Sequence, residues 1–330
     1  MNQEVFINDK KEFCEVAILV DGKLQHYYNL SNDMLTGSVV LGKVIKINKL
    51  MGIFVDIGNE KNALLKFRND IKIGDMLVVQ IKRDEVDNKG CSISENITIA
   101  GRYLVLNDEG VYKFSRKINS QNKEELLKIK SGYDNLGFVF RSACDDANII
   151  DIEKESKILV SNYLDVINNA KNNSKIQILY KEEALDIAKR FAINESNIRY
   201  DFEEIKDELD RLQQRKVYVE GIEIVVDKTE AMTVIDVNSH QFNKQYKDID
   251  NAHFQANLLA VSEIARILRV RNIGGIIMVD FISLAQLELK KKLLVALNNE
   301  LKKDNVMVKA ELIESLSLFA IVRKQRYASL

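Results

Sequence analysis

The chain has 330 residues, of which 48 are basic and 49 acidic, for a formal net charge of −1. Hydrophobic residues make up 46% and charged residues 29%, a globular and not a disordered balance, and the length allows two or three compact units. Proline is absent, which excludes collagen-like, mucin-like and Pro-rich linker classes, and no apolar run approaches the ~20 residues of a membrane helix.

The opening segment MNQEVFINDK has no basic stretch ahead of an apolar one, so no secretory signal is expected. From Glu4 to Tyr28 the pattern is strand-like, with Asp21-Gly22 as a turn signal. From Gly37 to about Ile99 come the β-like runs SVVLGKVIKIN, GIFVDIG, NALLKF, DMLVVQIKR and CSISENITI, punctuated by Gly42, Gly58, Gly74 and Gly90. Short strands with turns every ~10 residues predict a small barrel of the OB class. This block holds ten basic and eight acidic residues, a slight positive excess in a neutral chain.

Residues from about 100 to 215 are mixed. GRYLVLNDEGVYKFSRKI and GFVFRSACDDANI give way to a helical pattern in ESKILVSNYLDVINNAKNN, and the charged stretch 181–214 reads as largely helical with a break near Asn194–Asn197. From about residue 216, strand-like VYVEGIEIVVD and AMTVIDVNS lead into a helix. There Phe254, Leu258, Val261, Ile264 and Leu268 recur at three- and four-residue steps. Strand-like GGIIMVDFI, a second helix LAQLELKKKLLVALNNELKKD and VMVKAELI follow. A strand–helix–strand unit predicts parallel strands joined by a right-handed crossover.

Cys14, Cys91 and Cys144 lie far apart without CxxC spacing, which offers neither a disulfide framework nor a thiolate zinc site within one chain. A reduced cytoplasm is the simplest expectation.

The sharpest chemical feature is a pair of aspartates inside hydrophobic strands, Asp236 in TVIDVN and Asp280 in IIMVDF. A carboxylate taken out of water without a partner costs several kcal/mol, so each is expected to face a charge or a metal. Asn238 points to the same face as Asp236. In a parallel arrangement both aspartates fall near strand C-termini, where open α/β sheets place their sites. Two carboxylates and an amide oxygen form a hard, oxygen-rich donor set suited to Mg2+. In the competing arrangement one Asp bonds an arginine such as Arg266 or Arg269, or caps the following helix.

AMTVIDVNS, EIARILRVRNIGGIIMVDFI and the closing RKQR resemble the catalytic core of the ribonuclease E/G family. The resemblance covers nearly the whole chain: VFINDKKEFCEVAILVDGKL is similar to the family's N-terminus, and GKVIKINKLMGIFVDIGNEKNALLKF with DNKG to its embedded S1 domain. It implies an α/β, multi-subdomain architecture in which an OB-type S1 barrel is inserted in a ribonuclease-H-like and 5′-sensor scaffold. A DNase-I-like α/β catalytic subdomain follows. The implied boundaries are 1–35 for the N-terminal part of a reduced ribonuclease-H-like subdomain, 36–99 for S1 and 100–175 for the 5′-sensor. Residues 176–215 form the remainder of the ribonuclease-H-like region, and 216–330 the catalytic subdomain.

The activity implied is Mg2+-dependent endonucleolytic cleavage of single-stranded, AU-rich RNA to 5′-phosphate and 3′-hydroxyl ends, in mRNA decay and rRNA and tRNA maturation. Asp236 and Asp280 would hold the metal, with Asn238 supporting it. Phe54 and Lys89 match RNA-contacting positions of the S1 domain, an aromatic face for a base and a lysine for a phosphate. Arg141-Ser142 looks like the family's pair that receives a 5′-monophosphate, Val105 matches the position beside the terminal base, and Arg116 resembles another RNA-facing arginine. As alternatives, Phe54 would be a core residue and Arg141 a surface ion pair with Asp145 or Asp146.

Several positions depart from the family pattern. Leu64 replaces a second aromatic, which removes a stacking platform worth ~1–3 kcal/mol. Leu316 stands for an arginine, and Asp280-Phe281-Ile282-Ser283 lacks an outer acidic residue. The family's zinc-link cysteines are missing, so a homo-oligomer would not be a zinc-linked dimer. Histidine-pair chemistry is disfavoured because only His26, His240 and His253 are present. The rival functions are a non-catalytic S1-type RNA-binding protein with a vestigial nuclease site, and a Mg2+ phosphatase or other phosphodiesterase on a DNase-I-like scaffold.

Overall fold

The computed structural model describes residues 3–10, 13–30, 35–84, 90–115, 118, 123–192, 197–239 and 248–324. The chain divides into two units, one built from residues 1–8, 15–29 and 199–330, the other from residues 9–14 and 30–198. The first unit begins with β1 (Gln3–Lys10), β2 (Phe13–Val20) and β3 (Lys23–Asn29), neighbours in one sheet. Asp21 and Gly22 adopt φ of 49° and 74°. Positive φ at both central residues is what a type I′ hairpin needs, so the predicted turn closes β2 onto β3.

The second unit contains β4 (Val39–Asn48), β5 (Gly52–Asp56), β6 (Ala63–Leu65), β7 (Met76–Arg83) and β8 (Ser92–Ser94). Their order is β4-β5-β6-β8-β7, and β7 pairs back onto β4, so five strands close a barrel consistent with an OB-like fold. Val44, Ile53, Val55, Val79 and Ile81 fill it, all fully buried. The predicted run CSISENITI splits: its first part enters the barrel as β8, and its second is β9 (Thr98–Ala100) of another sheet.

That sheet adds β10 (Leu104–Asn107), β11 (Lys113–Phe114) and, after α1 (Lys123–Leu126), β12 (Gly137–Phe140), in the order β11-β12-β10-β9. The helix predicted next is α2 (Ile149–Lys171), whose N-cap Asn148 accepts the Ile150 N–H. Its Ile152, Leu159, Tyr163 and Val166 pack on Leu104, Leu106, Phe138 and Phe140 in a core separate from the barrel's. β13 (Gln177–Tyr180) pairs with β4, and α3 (Ala184–Phe191) follows. The short β14 (Ile198–Arg199) falls where the chain passes back to the first unit.

The remaining elements are α4 (Glu203–Gln213), β15 (Lys216–Val219), β16 (Ile222–Lys228), β17 (Thr233–Ser239), α5 (Ile249–Val270), β18 (Gly275–Asp280), α6 (Leu287–Leu301), β19 (Val308–Ile313) and β20 (Leu318–Arg323). Their sheet runs β15-β16-β17-β18-β20-β19. β17 and β18 are parallel across α5, as predicted, whereas the other neighbouring pairs are antiparallel. One sheet face, with Ile235, Val237, Ile277, Val279 and Phe319, shares a core with Ile264, Leu268, Leu293 and Leu297 of the two helices. Each fully buried aliphatic chain contributes about 1.5–3 kcal/mol over an exposed one. No helix among the described residues is long and apolar enough to cross a membrane.

Candidate active site

The register of β17 against β18 sets Asp236 directly beside Asp280. Along β17, Thr233, Ile235 and Val237 are buried and Val234, Asp236 and Asn238 are exposed, the two-residue alternation of a sheet with one covered face. Asp280 ends β18 and is also exposed. The expected carboxylate pair is therefore present, but on the open face of the sheet. Water reaches it, so only part of the cost of burying a carboxylate remains.

Repulsion adds to that cost: neighbouring strands lie only about 4.8 Å apart, so the two carboxylates meet across the sheet. Partial burial, and then the charge of Asp236, push the Asp280 carboxyl above its ordinary value. Asn238 donates from Nδ2 to Asp236 Oδ2 at 2.7 Å. Neither arginine of the competing arrangement meets the pair: Arg266 donates to Glu263 and Glu208, and Arg269 to Gln25. A divalent cation would satisfy both acids, and the donors are the hard oxygens it prefers. Among the described residues, no cluster of three or more His, Cys, Asp or Glu could hold a metal. Any ion here would rest on two carboxylates, Asn238 and water.

Residues that the sequence reading passed over hold this arrangement. Asn257, fully buried on α5, donates to the Ile282 carbonyl at 2.8 Å and accepts the Ile282 N–H at 3.0 Å. Asp250 accepts the N–H groups of Ala285 and Gln286 at 2.8 and 3.0 Å, and His253 Nδ1 lies 2.9 Å from the Ser283 carbonyl. The loop after Asp280, including the departing Ser283, is thus clamped to α5. The signal was available, because Asp250, His253 and Asn257 recur at helical spacing on a helix otherwise read for its apolar residues. Glu223, register neighbour of Asn238, accepts from Lys216 Nζ at 3.0 Å and Tyr218 OH at 2.6 Å.

In the barrel, cross-strand pairing aligns Lys46, Phe54, Leu64 and Ser92. Phe54 is half-buried, with the Lys46 ammonium 5.7 Å from its ring centroid, and Leu64 beside it is 38% exposed. Phe54 therefore presents part of its ring outward and is not a fully buried core residue. Lys46 was not anticipated. Lys89 and Arg116 lie outside the described residues.

Arg141 and Ser142 follow β12, and Arg141 donates from Nη1 to the Gly101 carbonyl at 2.5 Å, while its N–H bonds the Tyr103 carbonyl. Ser142 is exposed, and the half-buried Val105 sits on β10 opposite Val139. The structure thus gathers Arg141, Ser142 and the start of β10. Glu155 organises that turn by accepting the N–H groups of Arg102, Tyr103 and Leu104, each at 2.8 Å. A Cβ at Gly101 would come 2.4 Å from the Glu155 carboxylate, so a larger residue here would push that carboxylate away from the turn. Leu316 is exposed in the turn between β19 and β20.

Comparison with known proteins supplies an independent finding. The chain matches the description "Ribonuclease E/G family" over residues 98–199 and 187–326. It is 26% identical to ribonuclease G of Escherichia coli (strain K12), over 100% of this chain and 81% of that protein. It is 25% identical to ribonuclease G of Salmonella typhimurium (strain SL1344), over 98% of this chain and 80% of that protein. Similarity to ribonuclease E of Buchnera aphidicola subsp. Schizaphis graminum (strain Sg) is 26% over 97% of this chain, which spans 40% of that longer relative.

Proposed function

The chain belongs to the ribonuclease E/G family and is an endoribonuclease, and from that premise we propose that it cleaves single-stranded, AU-rich RNA with Mg2+ in the cytoplasm. Its products carry 5′-phosphate and 3′-hydroxyl ends, and its roles are mRNA decay and rRNA and tRNA maturation. The observation that carries the chemistry is the pairing of Asp236 with Asp280, with Asn238 bonded to the first, on the open face of a sheet. A non-catalytic S1-type protein would draw on Ser283 and Leu64, but it leaves that pair without a use.

Asp236 and Asp280 would hold the ion, which when bound neutralises phosphate charge and lowers the pKa of a water. Asn238 fixes the orientation of the Asp236 carboxylate through its amide. Asp250 and Asn257 hold the loop beyond Asp280, so the second carboxylate is placed by packing and not by the ion. The division into an S1 barrel at 36–99, a 5′-sensor at 100–175 and a catalytic subdomain at 216–330, with ribonuclease-H-like remnants at 1–35 and 176–215, belongs to the same proposal. The separate cores of the barrel and of the 97–166 region support the S1 and sensor divisions, whereas β1–β3 and α4 share one core with the β15–β20 sheet.

Phe54 offers a stacking surface and Lys46 beside it a phosphate partner, with Lys89 assigned by family resemblance alone. Restoring an aromatic in Leu64→Phe is expected to tighten single-stranded RNA binding by about 1–3 kcal/mol, roughly five- to 150-fold. Fluorescence anisotropy with a labelled oligoribonucleotide checks this, and unchanged affinity would remove the 54/64 surface from the RNA path.

Arg141, Ser142 and Val105, with Arg116, would receive the RNA 5′ end. The decisive experiment incubates the purified protein with 5′-monophosphorylated and 5′-hydroxyl forms of one AU-rich RNA, with and without Mg2+. Cleavage should require the ion and run faster on the monophosphate. Arg141→Ala should slow the monophosphorylated substrate about ten- to a hundredfold, the worth of a charge-assisted contact used for positioning, and spare the other. Equal slowing of both would mean that the bond to Gly101 supports the fold, and an ion-independent rate would overturn the metal assignment.

A further inference from the structure

The open face of the β15–β20 sheet carries a second feature beside the aspartate pair. Cross-strand register sets Tyr218, Glu223 and Asn238 in one row, and Lys216, Val225, Asp236 and Asp280 in the next. Directly opposite residues share a face, and the intervening Val217, Ile224 and Val237 lie in the core. Tyr218 thus stands on the same face as the aspartates, on the outer strand of the sheet, and is 51% exposed. Two strand spacings of about 4.8 Å and one two-residue step put its Cα roughly 12 Å from that of Asp236. At about 3.4 Å per stacked nucleotide, some four nucleotides of a strand span that distance.

Tyr218 is held at both ends. Its hydroxyl donates to Glu223 Oε2 at 2.6 Å, and Arg211 Nη1 donates to its main-chain carbonyl at 3.1 Å. Lys216 Nζ bonds the same Glu223 oxygen at 3.0 Å and offsets its charge, so the anchor does not repel a phosphate. The strands of this sheet hold five acidic residues, all on the open face: Glu223, Asp227, Asp236, Asp280 and Glu311. Arg215 pairs with Asp227 and Lys309 with Glu311, so among the described residues only Asp236 and Asp280 lack a cation. Tyr218 is also the one aromatic residue that these strands present on the open face. A strand of RNA approaching the aspartates across β15 and β16 therefore meets charge-balanced side chains and one oriented ring. Such a ring stacks on any base, and holding it in place beforehand reduces the entropy lost on binding.

We propose that Tyr218 is a substrate-positioning residue whose ring stacks on a base within about four nucleotides of the scissile phosphate, with Glu223 and Lys216 fixing its orientation. The proposal rests on Asp236 and Asp280 as the cleavage site. Stacking reads no base identity, so Tyr218 supplies affinity and register along the strand and not sequence preference.

A short single-stranded RNA carrying the fluorescent base 2-aminopurine at each position in turn, bound to the full chain in chelator-treated buffer, tests the contact without cleavage. Stacking quenches this base. Tyr218→Ala should restore its emission at one position and weaken affinity by about five- to 150-fold. Tyr218→Phe keeps the ring, so it should keep the quenching and lose much less affinity. The cut made by the parent chain with Mg2+, mapped on the same RNA, should fall within about four nucleotides of that position. Parental affinity and emission in Tyr218→Ala overturns the proposal. So does a Tyr218→Phe variant as defective as Tyr218→Ala, which would assign the effect to the hydroxyl, or a stacked base farther from the cut. Stacking without any Mg2+-dependent cleavage would overturn the reading of Asp236 and Asp280 and leave the contact standing.

Discussion

Asp236→Asn and Asp280→Asn are each expected to reduce RNA cleavage by about a thousandfold or more while leaving RNA affinity nearly unchanged. Each substitution removes one of the two formal charges available to a cation at this edge. Charge stabilisation by a bound metal is worth several kcal/mol in a phosphoryl transition state, and every 1.36 kcal/mol is tenfold in rate. In the proposed reading RNA binding relies on surfaces elsewhere, so single-turnover kinetics should show the loss in the chemical step. The same substitutions should act oppositely on the metal-free fold. The adjacent carboxylates repel, and removing one relieves that repulsion. Because the pair is largely solvated, the gain in stability is under about 1 kcal/mol. A variant that cleaves at close to the parental rate would show that the chemistry lies elsewhere. A variant that loses activity together with its fold would assign Asp236 or Asp280 a structural role instead.

Arg266→Met should destabilise the first unit by about 3–5 kcal/mol. Arg266 and Glu263 lie on α5 with side chains 8% and 6% exposed, bonded to each other at 2.7 Å. Glu208 of α4 also pairs with Arg266, and Arg211 joins the set through Glu208 at 2.8 Å and Glu263 at 2.9 Å. Removing Arg266 alone leaves Glu263 buried with only part of its compensation. Removing both in Arg266→Met/Glu263→Leu leaves Glu208 and Arg211 to pair with each other, so most of the stability should return. Thermal unfolding of the single and double variants measures this at about 2–4 °C per kcal/mol for a unit of this size. A single variant within 1 kcal/mol of the parent would show that water already reaches the cluster.

The network also sets a pH response. Burial alone would raise the Glu208 carboxyl, but its bonds to Arg211 and Arg266 prevail and hold it below 4.5. A depressed folded-state value means that the stabilisation is complete above the unfolded value and is lost as the pH falls through the folded one. The fold should therefore weaken on the acid side of pH 4.5, and less so in the double variant.

Much was legible in the chain because it depends on local periodicity. The Asp21-Gly22 turn follows from two adjacent positive φ values, the barrel strands from short β-branched runs between glycines, and α5 and α6 from apolar residues at helical steps. The two-residue period of TVIDVN also puts Asp236 and Asn238 on one face. Which face water reaches is a different matter. It was decided by α5 and α6 packing on Ile235, Val237 and Val279, which leaves the aspartates on the uncovered side. Long-range pairing likewise closed β7 onto β4 and inserted β20 between β18 and β19. It also turned Glu263, Arg266 and Arg269 of α5 inward, where an isolated helix would hold them in water. Local sequence sets the direction of each side chain relative to its own backbone, whereas burial, charge pairing and the meeting of Asp236 with Asp280 depend on which distant segment arrives opposite it.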